Sequence, residues 1–405
     1  MSGRLVIVGA GQAAFALAAK LRALKDDRPI TILGSEEVFP YQRPPLSKKY
    51  LLGEMTFDRL LFRPEQWYVD NAVELRTSAW VEEIDRSAKT VRLQDGSTVG
   101  YETLALATGA EPRTLPPGIG GDLQGIFTVR DKRDADRLMA EMRPGRHLLI
   151  VGGGYIGLEA AAVARHLGLE VTLIEMADRI LQRVAARETA DTFRQIHASH
   201  GVVIREKTGL VCLSGEDGHV KTAELSDGSV IDVDFVIVGI GVTPNDRLAR
   251  EAGLDVANGI VVDAFTRTSD NAIHALGDCA VLPWKGQQIR LESVQNAVDQ
   301  AEAAAAILTG GETAYNPKPW FWSDQYDVKL QIAGFNLGYD ETFVRPGARE
   351  GSLSIWYFRE GQFIAVDAIN DAKAYVTGKK LLESGINADR AILSDISADL
   401  KQLLV

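Results

Sequence analysis

Two glycine loops carry the most specific chemistry in the chain. The first, Gly9-Ala10-Gly11-Gln12-Ala13-Ala14, follows a β-branched run and opens an Ala/Leu-rich stretch. The second is Gly152-Gly153-Gly154-Tyr155-Ile156-Gly157. In such a loop the first glycine makes the tight turn and the second lets backbone approach a pyrophosphate. The helix that follows points free N–H groups at the phosphates. Ala14 stands where the first loop would carry its third glycine. An acidic residue closing the next strand completes the fingerprint, because its carboxylate accepts from ribose hydroxyls. Glu36, beside Ser35, holds that place after the first loop, and Glu175 after the second. Met176 and Ala177 follow Glu175, so no Arg stands ready for a 2′-phosphate, and NADH is expected over NADPH. The plainer account of Glu175 is a solvated strand-end carboxylate.

Further residues have two readings each. Glu159, in the first turns of the helix after the second loop, either complements the helix dipole or contacts a nicotinamide amide. The apolar strands in "ALATGAEP" and "TSDNAIHALGD" end at Ala107-Thr108-Gly109 and Gly277-Asp278. Glycine there permits close approach of a ligand, and Asp278 is expected to accept from a polyol rather than merely to cap a turn. "PWFWSDQY" (319–326) is either a core aromatic cluster or an aromatic at a flavin edge. "FPYQRPPLSKKY" (39–50) carries Arg43, Lys48 and Lys49 on a stretch stiffened by prolines, with no sulfur.

The elements that must position these residues form a repeated plan. Residues 4–36 predict a strand, a glycine turn, a helix and a second strand, and residues 148–175 repeat it. "KTVRLQDGSTVGYETLALATGAEP" (89–112) resembles "KTAELSDGSVIDVDFVIVGIGVTP" (221–244), each with an Asp-Gly hairpin turn. Two segments repeating in the same order predict two dinucleotide domains. Prolines at 112, 116, 117 and 244 mark crossings. An Ala-rich helix is expected near 296–308, and antiparallel strands over 356–370.

Composition narrows the class. A net charge of -11 argues against a general nucleic-acid binder. Two cysteines cannot hold a four-cysteine zinc site or an iron–sulfur cluster, and are expected as buried thiols in a reducing cytoplasm. No apolar run is long enough to cross a membrane, so none is expected as a partner.

Taken together, "PYQRPPLSK", "ATG", "GDCA", "RLESVQNA" and "PWFWSDQY" on two dinucleotide domains resemble the FAD-dependent, NADH-oxidising ferredoxin reductases, the type that includes putidaredoxin reductase and the reductases of aromatic-ring dioxygenases. The resemblance covers nearly the whole chain. It implies an α/β, glutathione-reductase-like fold: an FAD domain over 1–112 and 244–316, an NAD domain over 113–243, and an α+β C-terminal domain over 317–405. It implies that Gly9, Gly11, Ala13, Ser35, Arg43, Lys48, Val81, Arg130, Asp278, Val294 and Trp322 contact or flank FAD. Gly152, Gly154, Ile156, Gly157, Glu159, Glu175 and Gly241 would line the NADH site. Ser35 occupies a place that is acidic in some relatives, so either Ser35 or Glu36 is the ribose contact.

The resemblance further implies hydride transfer from NADH to flavin N5, with Lys48 near N5 and paired with Glu159. Single electrons would pass to a separate [2Fe–2S] ferredoxin feeding a haem-thiolate or Rieske oxygenase. Arg290, Lys318 and Lys329 are candidate docking residues for it. Two rivals are an NADH-responsive flavoprotein of apoptosis-inducing-factor type and a quinone-reducing NADH dehydrogenase. The second needs a membrane-binding surface, for which "DISADLKQLLV" at the C-terminus is a candidate, though a docked terminal helix accounts for it equally. A disulfide reductase needs a cysteine pair after the first loop, and none exists.

Overall fold

The computed structural model describes residues 3–404. The chain gathers into two compact units. The first contains the chain up to Arg43, Thr56–Glu111 and Val242–Pro319; the second contains Pro44–Met55, Pro112–Gly241 and the chain from Trp320 on. The segment 44–55, expected with the first dinucleotide domain, is therefore part of the second unit.

In the first unit, strands Leu5–Val8, Ile30–Leu33, Val73–Arg76, Thr103–Leu106 and Ile273–Ala275 form one parallel sheet with Leu5–Val8 at its centre. Leu5–Val8 and Ile30–Leu33 are buried throughout, as strands covered on both faces require. Helix Gln12–Ala23 presents Ala13, Ala14 and Ala18, and helix Val294–Leu308 presents Ala297, Ala301, Ala304 and Ala305 to the same core. Small side chains let the two backbones pack closely. A three-stranded antiparallel sheet, Val81–Asp85, Thr90–Leu93 and Thr98–Gly100, sits in the same unit.

The second unit repeats this design. His147–Val151 is central in a parallel sheet with Glu170–Glu175, Val202–Glu206, Phe235–Val238 and Ile126–Phe127. A second three-stranded antiparallel sheet covers Leu210–Glu216, His219–Leu225 and Val230–Asp232. Both Asp-Gly pairs turn where expected, with Gly96 and Gly228 at φ +83 and +82. The unit ends in a five-stranded antiparallel sheet, ordered Trp320–Gln325, Val328–Gly334, Gln362–Ile369, Leu353–Arg359 and Glu341–Pro346, with helix Ala372–Ser384 against it. Residues Leu400–Leu404 form a short 3-10 helix whose Leu400 and Leu403 are buried in that core, which favours the docked-terminus account of the C-terminal stretch. No described helix is long and apolar enough to cross a membrane. Cys279 is buried, but Cys212 is half-exposed beside Glu224, so only one of the two thiols is a core residue.

Three buried titratable groups give the fold a defined acid response. Burial pushes His274 in the first unit and His197 in the second down to about 4. A depressed folded-state pKa contributes stability above the unfolded value, which is lost as pH falls from about 6.5 towards 4. Burial pushes Asp367 the other way, up to about 6. Its neutral form suits the fold, and that advantage is lost as pH rises through 6. Each shift corresponds to about 3 kcal/mol, so two histidines outweigh one aspartate. The melting temperature should fall by several degrees between pH 7 and pH 4. Melting curves across that range, with His274→Asn flattening the decline, check this.

Candidate functional site

Each glycine loop is shaped by a close backbone approach that excludes a side chain. Gly9 has φ +107, and a Cβ there would lie 2.2 Å from the carbonyl oxygen of Ala107. Gly152 has φ +110, and its Cβ would lie 2.4 Å from the carbonyl oxygen of Gly239. Two residues further on, the space opens. Nothing lies within 4 Å of a Cβ at Gly11 or Gly154. Both are N-cap residues with no capping side chain, so the first-turn N–H groups of helices Gln12–Ala23 and Tyr155–His166 face open space. Such a gap could cradle a phosphate in each unit. The loops differ at their third place. A Cβ at Gly157 would lie 2.2 Å from the Gly152 carbonyl, whereas Ala14 is accommodated, fully buried, at the first loop.

Around the first loop, Ala107, Thr108 and Gly109 follow the strand Thr103–Leu106. They are latched by Asn245: Thr108 Oγ1 donates to the Asn245 carbonyl at 2.6 Å, and Asn245 Nδ2 donates back to the Thr108 carbonyl at 3.0 Å. Ser35 is exposed at the end of Ile30–Leu33. Glu36 is engaged, accepting from the Tyr41 hydroxyl at 2.7 Å and pairing with Arg43. Ser78 and Ala79 N–H groups bond the carbonyls of Glu36 and Gly34, which brings Val81 to this side of the unit. Gly277 has φ +74, and a Cβ there would lie 3.4 Å from Ala13 Cβ. Asp278 follows it, and Val294 begins the helix capped by Ser293. So Gly9, Gly11, Ala13, Ala14, Ser35, Glu36, Arg43, Val81, Ala107, Thr108, Gly109, Asp278 and Val294 all belong to the first unit.

Gln300 and Arg290 complete that region. Gln300 Oε1 accepts from Gly277 N–H at 2.8 Å, and its Nε2 is buried without a partner among the described residues. Arg290 donates to the Asp278 carbonyl and pairs with Glu292, and its Nε is likewise buried and unpartnered. The Arg290 side chain is only 9% exposed, so it is not a surface docking residue as expected. Lys318 and Lys329 are exposed. Orphaned donors beside the Gly277-Asp278 turn and an uncapped helix at Gly11 fit an anionic, hydroxyl-bearing dinucleotide.

The second unit holds Lys48, Arg130, Gly152, Gly154, Ile156, Gly157, Glu159, Glu175, Gly241 and Trp322. Pro44–Ser47 is one 3-10 turn, started by the fixed φ of two prolines. It buries Leu46 and is followed by Leu51 in the core. The turn delivers Lys48 to Glu159, with Nζ 2.6 Å from Oε2. Glu159 is 5% exposed. It also accepts from Ser47 Oγ at 3.1 Å and Ser323 Oγ at 2.7 Å. It is thus the buried hub of an ion pair, rather than a solvated carboxylate complementing a helix end.

Glu175 is not a free strand-end carboxylate either. Oε2 accepts from Gly153 N–H and Oε1 from Ala177 N–H, both at 2.8 Å. Beyond it, Met176 is 81% exposed, and Ile156 at the start of the helix is 44% exposed. Gly241 has φ +100, its carbonyl accepts from Arg113 N–H, and Arg183 lies next to it. Arg130 N–H donates to Asp134 Oδ2, and Trp322 stacks at a tilt on Trp320 at 5.6 Å.

These two glycine loops, on two copies of one unit design, point to a family that the comparisons with known proteins identify. Residues 3–301 match the pyridine nucleotide-disulphide oxidoreductase model. The chain belongs to that family. Residues 320–404 match the reductase C-terminal model. The oxidoreductase is 44% identical, over 94% of its length and 92% of the relative's, to a ferredoxin–NAD(P)+ reductase of a Sphingomonas species. It is 42% identical to rhodocoxin reductase of Rhodococcus erythropolis over 98% of its length and 93% of the relative's. Among solved structures it superposes with a TM-score of 0.96 on the putidaredoxin reductase–putidaredoxin covalent complex, at 36% identity, covering 100% of this chain and 98% of that one. The fold is therefore glutathione-reductase-like, and flavin and pyridine nucleotide are the family's cofactors.

Proposed function

We propose that this oxidoreductase binds FAD, takes reducing equivalents from NADH and delivers them singly to a separate [2Fe–2S] ferredoxin that serves an oxygenase. The observation that carries this reading is the pair of uncapped glycine loops, one per unit, on a chain similar along its whole length to ferredoxin reductases. Bound flavin supplies the conversion from two-electron to one-electron transfer, which no side chain here performs. In the proposed division of labour the first unit holds FAD through its 9–14 loop, the 107–109 segment and Asp278. Residues 113–243 hold NADH, and 317–405 form the C-terminal domain. Lys48, held in place by Glu159, would favour negative charge on the reduced flavin. The exposed Lys318 and Lys329 are candidates for docking an acidic ferredoxin. Two unpaired thiols suit a reducing cytoplasm.

The dinucleotide preference follows from Glu175. A 2′-phosphate placed at this carboxylate would meet like charge. NADH should be preferred over NADPH by on the order of 100-fold in kcat/KM. Stopped-flow mixing with each nucleotide, then with a [2Fe–2S] ferredoxin, tests the whole reading. Rapid bleaching by NADH followed by ferredoxin reduction is expected. No bleaching with either nucleotide would end it, and slow bleaching with a persistent long-wavelength band would favour a signalling flavoprotein instead.

A further inference from the structure

Glu159 sits at one end of an unbroken hydrogen-bond chain inside the second unit. Ser323 Oγ lies 2.7 Å from Glu159 Oε1. Gln325 Nε2 lies 3.1 Å from Ser323 Oγ. Gln325 Oε1 lies 2.7 Å from His197 Nε2, and His197 Nδ1 lies 3.2 Å from the Tyr326 hydroxyl. Ser323, Gln325 and His197 are essentially without solvent exposure. Ser323 and Gln325 are two apart on one strand, so they share its inner face, while Asp324 between them is exposed. Tyr326 ends the chain at φ +56, an unfavourable backbone state for a tyrosine, and its ring stacks on His200 at 3.7 Å. The polar half of "WSDQY" therefore has a purpose separate from its aromatic half.

The direction of this chain is fixed by chemistry at one end. A carboxylate only accepts, so Ser323 must spend its single O–H on Glu159. The Ser323 oxygen then accepts from Gln325 N–H, which turns the Gln325 carbonyl to His197. A carbonyl only accepts, so His197 carries its proton on Nε2. Nδ1 is then bare and accepts from the Tyr326 hydroxyl. All four bonds donate towards Glu159, and co-oriented dipoles in a dry interior reinforce one another. Burial also holds the His197 ring in its neutral form, which the chain requires.

We propose that Ser323, Gln325, His197 and Tyr326 are positioning residues for the Glu159–Lys48 pair, joined in a one-way chain whose direction is set by the Glu159 carboxylate. Lys48 and Ser47 donate to its second oxygen. Glu159→Gln would keep its carbonyl on those donors and turn its NH2 to Ser323. Every link then reverses, and the His197 proton moves from Nε2 to Nδ1, three hydrogen bonds away from the substitution.

The test is 15N NMR of histidine-labelled, flavin-loaded protein. The chain has six histidines, and His197 is assigned by its loss in His197→Gln. The native protein should show His197 protonated on Nε2, and Glu159→Gln should show it on Nδ1. A native Nδ1 proton, or an unchanged tautomer in Glu159→Gln, overturns the chain. The kinetic arm rests on the proposed function. Ser323→Ala should slow reduction by NADH about tenfold with little change in KM, and Ser323→Thr, which keeps the hydroxyl, should restore it. Asp324→Asn should match the native protein in both arms. An unaltered rate in Ser323→Ala overturns the positioning role. A native protein that NADH does not reduce overturns the functional reading alone, because the tautomer arm needs no turnover.

Discussion

Gly9→Ala should purify without yellow colour, while Gly152→Ala should purify yellow and stay yellow when NADH is added. The two glycines have matching geometry: positive φ, and a Cβ position within 2.2 to 2.4 Å of a backbone carbonyl oxygen on a neighbouring segment. Neither obstacle is a flexible side chain that could swing aside. Each alanine adds conformational strain of about 1–3 kcal/mol and forces two strand ends apart. The displaced segment is the one that must approach a pyrophosphate. In the first unit that is the loop assigned to FAD, and in the second the loop assigned to NADH. Absorbance after purification measures the first effect, and anaerobic NADH titration the second. If both variants retain flavin and are reduced normally, the assignment of cofactors to the loops is wrong.

Lys48→Ala should slow reduction by NADH on the order of 100-fold, as expected for losing a preorganised charge at the proposed reacting centre. It should also destabilise the second unit. Glu159 would remain buried, with only the Ser47 and Ser323 hydroxyls to satisfy its charge. Breaking a buried pair from one side costs about 3–5 kcal/mol. The double variant Lys48→Met with Glu159→Leu should recover much of that stability and none of the rate. Thermal melts and stopped-flow traces on the single and double variants separate the two effects. A native rate in Lys48→Ala removes the role assigned to this lysine.

The parts of this molecule that are legible from sequence are those written locally. Glycine spacing between a β-branched run and an alanine-rich helix gives both dinucleotide loops, and Asp-Gly turns give both small antiparallel sheets. Glu36 and Glu175 are legible by their distance from those loops. Their partners are not, because Tyr41, Arg43 and the Gly153 N–H answer to backbone geometry rather than periodicity. Donors to Glu159 come from residues 111, 112 and 164 positions away. No hydrophobic pattern encodes such separations, so Ser47 and Ser323 were silent, and residues 44–55 gave no sign of joining the second unit. Arg290 misled for a related reason. A lone arginine in a polar segment reads as surface, yet its fork is bound by Asp278 and Glu292. Gln300 and Asn245 could have been suspected, since a buried amide in an alanine-rich helix and an asparagine directly after Thr243-Pro244 both need a partner.

With Glu175 in its proposed role at the ribose, its bond to Gly153 N–H makes nucleotide choice and loop shape a single inherited trait. A substitution that welcomes a 2′-phosphate also removes the acceptor that pins the phosphate-binding turn to the sheet. Glu175→Arg would therefore gain charge complementarity and loosen the turn that must use it. A lineage shifting towards NADPH needs a second change that gives the Gly153 N–H a new acceptor, and the intermediate with only one of the two is expected to serve both nucleotides poorly.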